Sequence, residues 1–261
     1  TPPYGFGFEG LLRECAAQGR LSGILNGIDT QVWNPAKDRY IPYPYSVQKG
    51  RVAQKMRNKQ HLLQTLAPAR AKVDEKAPLL GFIGRMVEQK GIDLLIETIP
   101  MLLDETSANV VLLGSGQKIY EQEIVNLARL YPHRVFVHIG YSEELAHLIE
   151  AGADIFLMPS RFEPCGLNQM YSLTYGTLPI VHATGGLKDT VVDASAANIA
   201  AGTATGFVMQ KASPEELRRC SIRALELYRK PRTWQKLQKT AMSQDFGWQR
   251  SAASYLNLYQ A

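Results

Sequence analysis

The stretch "PLLGFIGRMVEQKGIDLLIETIPMLLDETSANVVLLG", residues 78–114, decides the fold. Its two short runs, PLLGFIG (78–84) and NVVLLG (109–114), are apolar at successive positions, so both faces of each ask for burial. Between them IDLLIETIPMLL (92–103) repeats its apolar residues at helical spacing. A strand buried on both faces, then a helix, then a second such strand is a βαβ unit of a parallel sheet.

The alternation continues outward. A helix is predicted over 118–130 (KIYEQEIVNLARL), a strand over 135–140 (VFVHIG) and a helix over 142–152 (SEELAHLIEAG). DIFLMP (154–159) reads as a strand, LNQMYSLTYG (167–176) as a helix, and LPIVHA (178–183) as a strand running into a Gly-Gly turn. The whole predicts an α/β domain with a doubly wound, Rossmann-like parallel sheet. The tail is helical: Ser213-Pro214-Glu215-Glu216 is an N-cap followed by Pro at the first helical position. Pro231 separates that helix from a second, and 247–260 supplies a last one. Ahead of residue 78, Pro35, Pro42 and Pro44 among tyrosines make 34–50 read as a linker and not as a core element.

Composition narrows the function classes. With 45% hydrophobic and 20% charged residues, the chain has an ordinary globular composition. No apolar run reaches the about 18 residues of a membrane span. The net charge is +5, and its densest basic run, QKGRVAQKMRNKQ (48–60), reads as a solvated helix face and not as a nucleic-acid site. A mild positive bias suits an anionic small molecule better. Cys15, Cys165 and Cys220 lie far apart without metal or disulfide spacing, so neither a zinc site nor a disulfide framework is predicted. The opening TPPYGFGFEG has no Met and no signal-peptide pattern, and the chain looks cut from something longer. Gly5, Gly7 and Gly10 satisfy G-x-G-x-x-G, but only TPPY precedes them where the dinucleotide fingerprint needs a strand.

In an open α/β sheet, ligands bind outside the carboxyl ends of the strands. Four loops at that edge carry unusual residues. In GRMVEQKG, Arg85 and Lys90 place two cations beside a helix start, which suits a phosphate or diphosphate as well as it suits a mobile surface loop. Gly114 and Gly116 permit either a tight turn or close approach of a ligand to the backbone. Tyr141 is placed to stack on a ring or to cover the core edge. In SRFEPCGLN (160–168), a helix starting near Gly166 leaves the amides of Gly166, Leu167 and Asn168 as free donors, with Glu163 just upstream. A carboxylate beside an anion site fits a ligand with a polar part beyond its phosphates, such as a sugar. The other reading of Glu163 is a partner for Arg161 or for the helix dipole.

Taken together, LNGID (25–29) with WNP (33–35), GRMVEQKGIDLL (84–95), the long run 140–181, TGGLKDTV (184–191) and DFGWQRSAASYLNLY (245–259) resemble the bacterial glycogen synthases and plant starch synthases. The resemblance runs in order from about residue 4 to the end and covers the carboxyl-terminal half of that family's two-Rossmann GT-B architecture. It implies an end of the first domain and a crossover at 1–45, a donor-binding domain at 46–243, and at 244–261 a helix that packs back on the first domain. It also implies retaining transfer of glucose from ADP-glucose or UDP-glucose, with the ADP sugar favoured, to the non-reducing end of an α-1,4-glucan. Neither a metal nor a cofactor is implied.

On that resemblance Arg85 and Lys90 neutralise the departing diphosphate, and Glu163 lies against the donor glucose. Cys165, Gly166, Leu167 and Asn168 line the phosphate subsite, Tyr141 packs on the base, and Gly185 and Gly186 edge the sugar pocket. The family's Lys-x-Gly-Gly-Leu motif is absent from this sequence, so donor binding without turnover is the alternative; a third is another GT-B transferase. The implied compartment is the bacterial cytoplasm or the plant plastid stroma, without secretion. Trp248, Tyr255, Leu256, Leu258 and Tyr259 on the last helix are expected to leave an apolar face that promotes self-association.

Overall fold

The structure, a computed structural model, describes residues 5, 7–47, 52–67 and 72–260. Six parallel strands form one sheet: β1 (Leu79–Ile83), β2 (Asn109–Gly114), β3 (Val135–Ile139), β4 (Ile155–Met158), β5 (Leu178–His182) and β6 (Phe207–Met209). Their spatial order is β3-β2-β1-β4-β5-β6, all neighbours parallel. The chain winds outward from β1 to β3, returns to lay β4 against β1, and winds outward again. The edge between β1 and β4 is therefore the topological switch point, the place where such sheets take ligands.

Strand residues divide by parity between the two faces. Leu80, Phe82, Val110 and Leu112 face α3 (Ile92–Glu105), α4 (Lys118–Leu130) and α9 (Pro214–Tyr228), whose apolar stripes complete the larger core. Leu79, Val111 and Leu113 face α2 (Gln54–Leu66) and α5 (Glu143–Gly152). Gly81 admits α5 closely: a Cβ there would lie 2.9 Å from Ile149 Cγ2. The remaining helices among the described residues include α1 (Glu9–Ala17), α6 (Asn168–Tyr175), α7 (Gly185–Thr190), α8 (Ala196–Ala201), α10 (Pro231–Met242) and α11 (Trp248–Gln260). Among the described residues no helix is long and apolar enough to cross a membrane.

Two expectations need correction. The proline-rich stretch read as a linker is in part a core element: Ile41 and Tyr45 are buried with Ala151 and Tyr175. The Tyr45 hydroxyl donates to the Tyr175 carbonyl at 2.7 Å, and just ahead of the stretch Trp33 is sandwiched between His147 and Tyr171 at ring separations of 3.7 and 3.8 Å. Irregular backbone with three prolines shows no periodicity, yet its aromatic rings still bury. The basic run at 48–60 is likewise not a solvated face throughout. Lys55 and Lys59 on α2 are buried, Lys59 in an ion pair with Asp154 at 2.7 Å and Lys55 on the carbonyls of Glu150 and Ala151. Positions 48–51 of that run lie outside the described residues, as do residues 1–4, where the dinucleotide fingerprint would need its strand. Gly10 sits inside α1.

Candidate active site

The carboxyl ends of β1 and β4 present two loops that lock together. After β1, residues 84–91 pass through a single 3-10 turn (Glu88–Lys90) and end at Gly91. Gly91 has φ +72°, and a Cβ there would stand 2.4 Å from the Pro159 carbonyl oxygen, so the start of α3 rests directly on the loop after β4. Across that contact Arg161 forms a bidentate pair with Asp93, at 2.7 and 2.5 Å, and donates to the Glu88 carbonyl at 2.7 Å. Burial alone would raise the Asp93 carboxyl, but the Arg161 guanidinium overcomes it and holds the group below the usual carboxylate range.

Lys90 and Glu163 form an ion pair within this lock. The side chains keep 21% and 11% of their surface, enough for a ligand to reach them. Glu163 also accepts from the Ser160 hydroxyl at 3.2 Å, and the Ser160 carbonyl meets the His182 ring at 3.0 Å. Arg85, exposed at the mouth, donates to the Gln89 side-chain oxygen at 3.1 Å. The Gln89 amide nitrogen in turn donates to the Phe162 carbonyl.

A third loop closes the floor. Gly166 (φ +72°) turns the chain into α6, and a Cβ at Gly186 would stand 2.2 Å from the Cys165 carbonyl oxygen, so α7 packs on the backbone of 163–166. The Gly186 amide reaches the carbonyls of Glu163 and Pro164 at 3.2 and 3.1 Å. Gln169, fully buried, donates to Cys165, Gly166 and Thr190 at 3.1 Å each. No side chain caps α6, and the amides of Asn168 and Gln169 precede its first intrahelical bond. The arrangement offers two cations, a held carboxylate and helix-end amides on one sheet edge, a set that can bind a diphosphate and a hydroxyl-rich group side by side.

The structure thus brings Arg85, Lys90, Glu163, Cys165, Gly166, Leu167, Gly185 and Gly186 into one region. Asn168 joins it, but its side chain donates to the Ile83 carbonyl at 2.8 Å and so ties α6 to the end of β1. Gly114 and Gly116 owe their identity to a neighbouring loop. A Cβ at Gly114 would stand 1.8 Å from the Gly84 carbonyl oxygen, and one at Gly116 would stand 2.3 Å from that of Met86. Tyr141 stands apart, 84% exposed, with its hydroxyl on Glu143. Ser160, Gln89 and Gln169 escaped the sequence reading, since an uncharged side chain that bonds to a carboxylate, as Ser160 does, or to backbone carbonyls, as Gln89 and Gln169 do, leaves no spacing signal. Among the described residues no group of three His, Cys, Asp or Glu could hold a metal ion.

The sequence profile of the family described as "Glycosyl transferases group 1" matches residues 64–240, more than half of the chain and all of the sheet. This chain belongs to that family. The glycogen synthase of Hydrogenovibrio crunogenus is 55% identical over 260 residues, covering 100% of this chain and 53% of the relative. The glycogen synthase of Cellvibrio japonicus is 51% identical over 258 residues, covering 99% of this chain and 52% of the relative. The chain spans about half the length of the curated relatives it matches. Among solved structures, the catalytic domain of starch synthase IV from Arabidopsis thaliana, bound to ADP and acarbose, superposes with a TM-score of 0.89 at 34% identity. That match covers 100% of this chain and 52% of the other. Sucrose-phosphate synthase from Thermosynechococcus elongatus, at 22% identity and a TM-score of 0.63, shares the fold alone; it covers 97% of this chain and 55% of the other.

Proposed function

We propose that this group 1 glycosyltransferase chain supplies the nucleotide-sugar side of a retaining glucosyltransferase of glycogen or starch synthesis. The donor is ADP-glucose, with UDP-glucose as the second candidate, and the acceptor is the 4-hydroxyl at the non-reducing end of an α-1,4-glucan. The observation that carries the reading is the Lys90–Glu163 pair, with Arg85 beside it, at the switch point between β1 and β4. The glycogen synthase relatives support the glucan acceptor, and the ADP held by the starch synthase IV structure supports an adenine nucleotide.

In this reading the acceptor's 4-oxygen bonds to the sugar's anomeric carbon as the bond from that carbon to the diphosphate oxygen breaks, the hydroxyl proton passes to the leaving diphosphate oxygen, and negative charge builds on the departing diphosphate. Arg85 and Lys90 neutralise it where it develops, aided by the first amides of α6. Glu163, held by Ser160 and Lys90, orients the glucose hydroxyls and stabilises positive charge on the ring. Cys165, Gly166, Leu167 and Asn168 supply backbone to the phosphate subsite, Gly185 and Gly186 border the sugar, and Tyr141 packs on the base. Transition-state stabilisation of this kind needs the cleft's other wall, so the chain alone is expected to bind donor without transferring glucose.

Calorimetric titration of the chain with ADP-glucose, and with UDP-glucose alongside, tests the reading. Saturable binding of the ADP sugar, tighter than that of the UDP sugar, is the expected result. A preference for the UDP sugar would reverse the donor assignment, and binding of neither by a folded chain would remove the nucleotide-sugar reading of the chain alone. Transfer of labelled glucose to glycogen by this chain would overturn the expectation of binding without turnover.

A further inference from the structure

We infer that Gln89 is a positioning residue of this site, holding the Arg85 guanidinium against the loop that carries Glu163. The inference deepens the nucleotide-sugar reading and rests on its assignment of Arg85 to the diphosphate. Gln89 lies inside the 3-10 turn between the two cations, half-buried. Its carboxamide works in two directions: the oxygen accepts from Arg85 Nη2 at 3.1 Å, and the nitrogen donates to the Phe162 carbonyl. Reversing the amide would set N–H against guanidinium N–H and oxygen against carbonyl oxygen, so the network admits one orientation only. The Gln89 carbonyl also accepts from the Arg161 amide at 2.9 Å, which places the turn in register with the residue two before Glu163.

Arg85 needs such a hold. Its side chain is long and exposed, and among the described residues no other group accepts from its guanidinium. A free arginine must surrender its rotamers when a diphosphate arrives, whereas one already bonded has surrendered them in advance. The two loops do not need Gln89 to stay together, since Arg161 binds Asp93 and Glu88 across the same gap and Gly91 rests on Pro159. The Gln89 side chain is therefore free to serve the cation.

The test is a double-variant cycle on the whole chain, titrated calorimetrically with ADP-glucose. Gln89→Met keeps the side chain's length and removes both of its hydrogen bonds. It should weaken ADP-glucose binding by about fivefold, the cost of freezing one long side chain. Adding it to Arg85→Ala should cost less than about twofold, because Gln89 acts through Arg85. Equal losses in both backgrounds would overturn the inference, as would no loss in the first. A second measurement needs no ligand: the guanidinium 15N–1H resonances of Arg85, assigned by their disappearance in Arg85→Ala. They should be sharp in the unaltered chain and broadened or exchanged away in Gln89→Met. If the unaltered chain binds no ADP-glucose, the nucleotide-sugar reading falls and these resonances alone decide. Resonances that are the same in both proteins would overturn the inference.

Discussion

Glu163 and Lys90 neutralise each other in a site proposed to receive a dianionic group, and this sets how substitutions there must behave. Removing the lysine alone deletes one cation and leaves a nearly buried carboxylate near the diphosphate with the Ser160 hydroxyl but no cation to offset its charge. Lys90→Ala should therefore weaken ADP-glucose binding by at least about tenfold, the worth of one charge-assisted contact. Glu163→Gln should change ADP affinity much less, since its proposed target is the sugar. The double variant Lys90→Ala/Glu163→Gln should bind ADP more tightly than Lys90→Ala, because the stranded charge is gone. Calorimetric titration of the three proteins with ADP and ADP-glucose reads this directly; additive losses would mean that the pair does not act as a unit. Gly186 offers a steric counterpart. A methyl there collides with the Cys165 carbonyl, so Gly186→Ala should displace the 163–166 loop, lower the melting temperature by several degrees and abolish ADP-glucose binding, as thermal melts and titration would show.

Elements that carry their own period or cap were legible, and features set only by distant parts of the chain were not. β2 and α4 occupy the residues their apolar patterns predicted, because strands buried on both faces and amphipathic helices write their period into the chain. β6 has three residues and no alternation to read, and it exists because Phe207 and Met209 complete the core against β5. In the site, the charged and glycine positions stood out, but their partners 68 to 73 residues away did not: Asp93 for Arg161, Glu163 for Lys90. The buried charges between α2 and α5 were hidden for the same reason. Glu150 on α5 is fully enclosed, and burial pushes its carboxyl up to about 8, against a smaller opposing effect of the Lys55 charge. The Ser172 hydroxyl spends its proton on the Asn168 carbonyl at 2.8 Å. Burial also brings the neighbouring Lys55 down to about 7. As pH rises from 4.5 towards 8 the unfolded chain releases the Glu150 proton while the folded chain keeps it, so this group's contribution to stability falls over that window. Glu150→Gln removes the penalty. Its stability advantage over the unaltered chain should grow by on the order of 3 kcal/mol between pH 5.5 and pH 8. Urea unfolding of both proteins at the two pH values measures the difference, and a constant offset would mean that Glu150 is ionised in the fold.

Among the described residues α11 is anchored at one end: the Ser251 hydroxyl donates to the Leu25 carbonyl at 2.7 Å, and Gly27 lies against the backbone of Trp248. That anchoring Ser251 is its one buried residue, while Leu256 and Tyr259 are 59% and 80% exposed and Trp248, Tyr255 and Leu258 extend the apolar surface. A helix of this length is marginal in water without a covering partner, and α1, which buries none of its residues, adds Leu11 to the exposed apolar inventory. A second copy is one way to cover such a surface, because apolar area removed from water stabilises whatever removes it. The chain is therefore expected to self-associate through α11 as its concentration rises. Light scattering should report a mass greater than one chain that rises with concentration, and Leu256→Glu combined with Tyr259→Glu should return it to one chain without lowering the melting temperature. The Rossmann-like sheet draws nothing from either residue, so loss of association together with loss of folding would contradict the assignment of α11 as an appended element. A single-chain mass at high concentration would overturn the association itself.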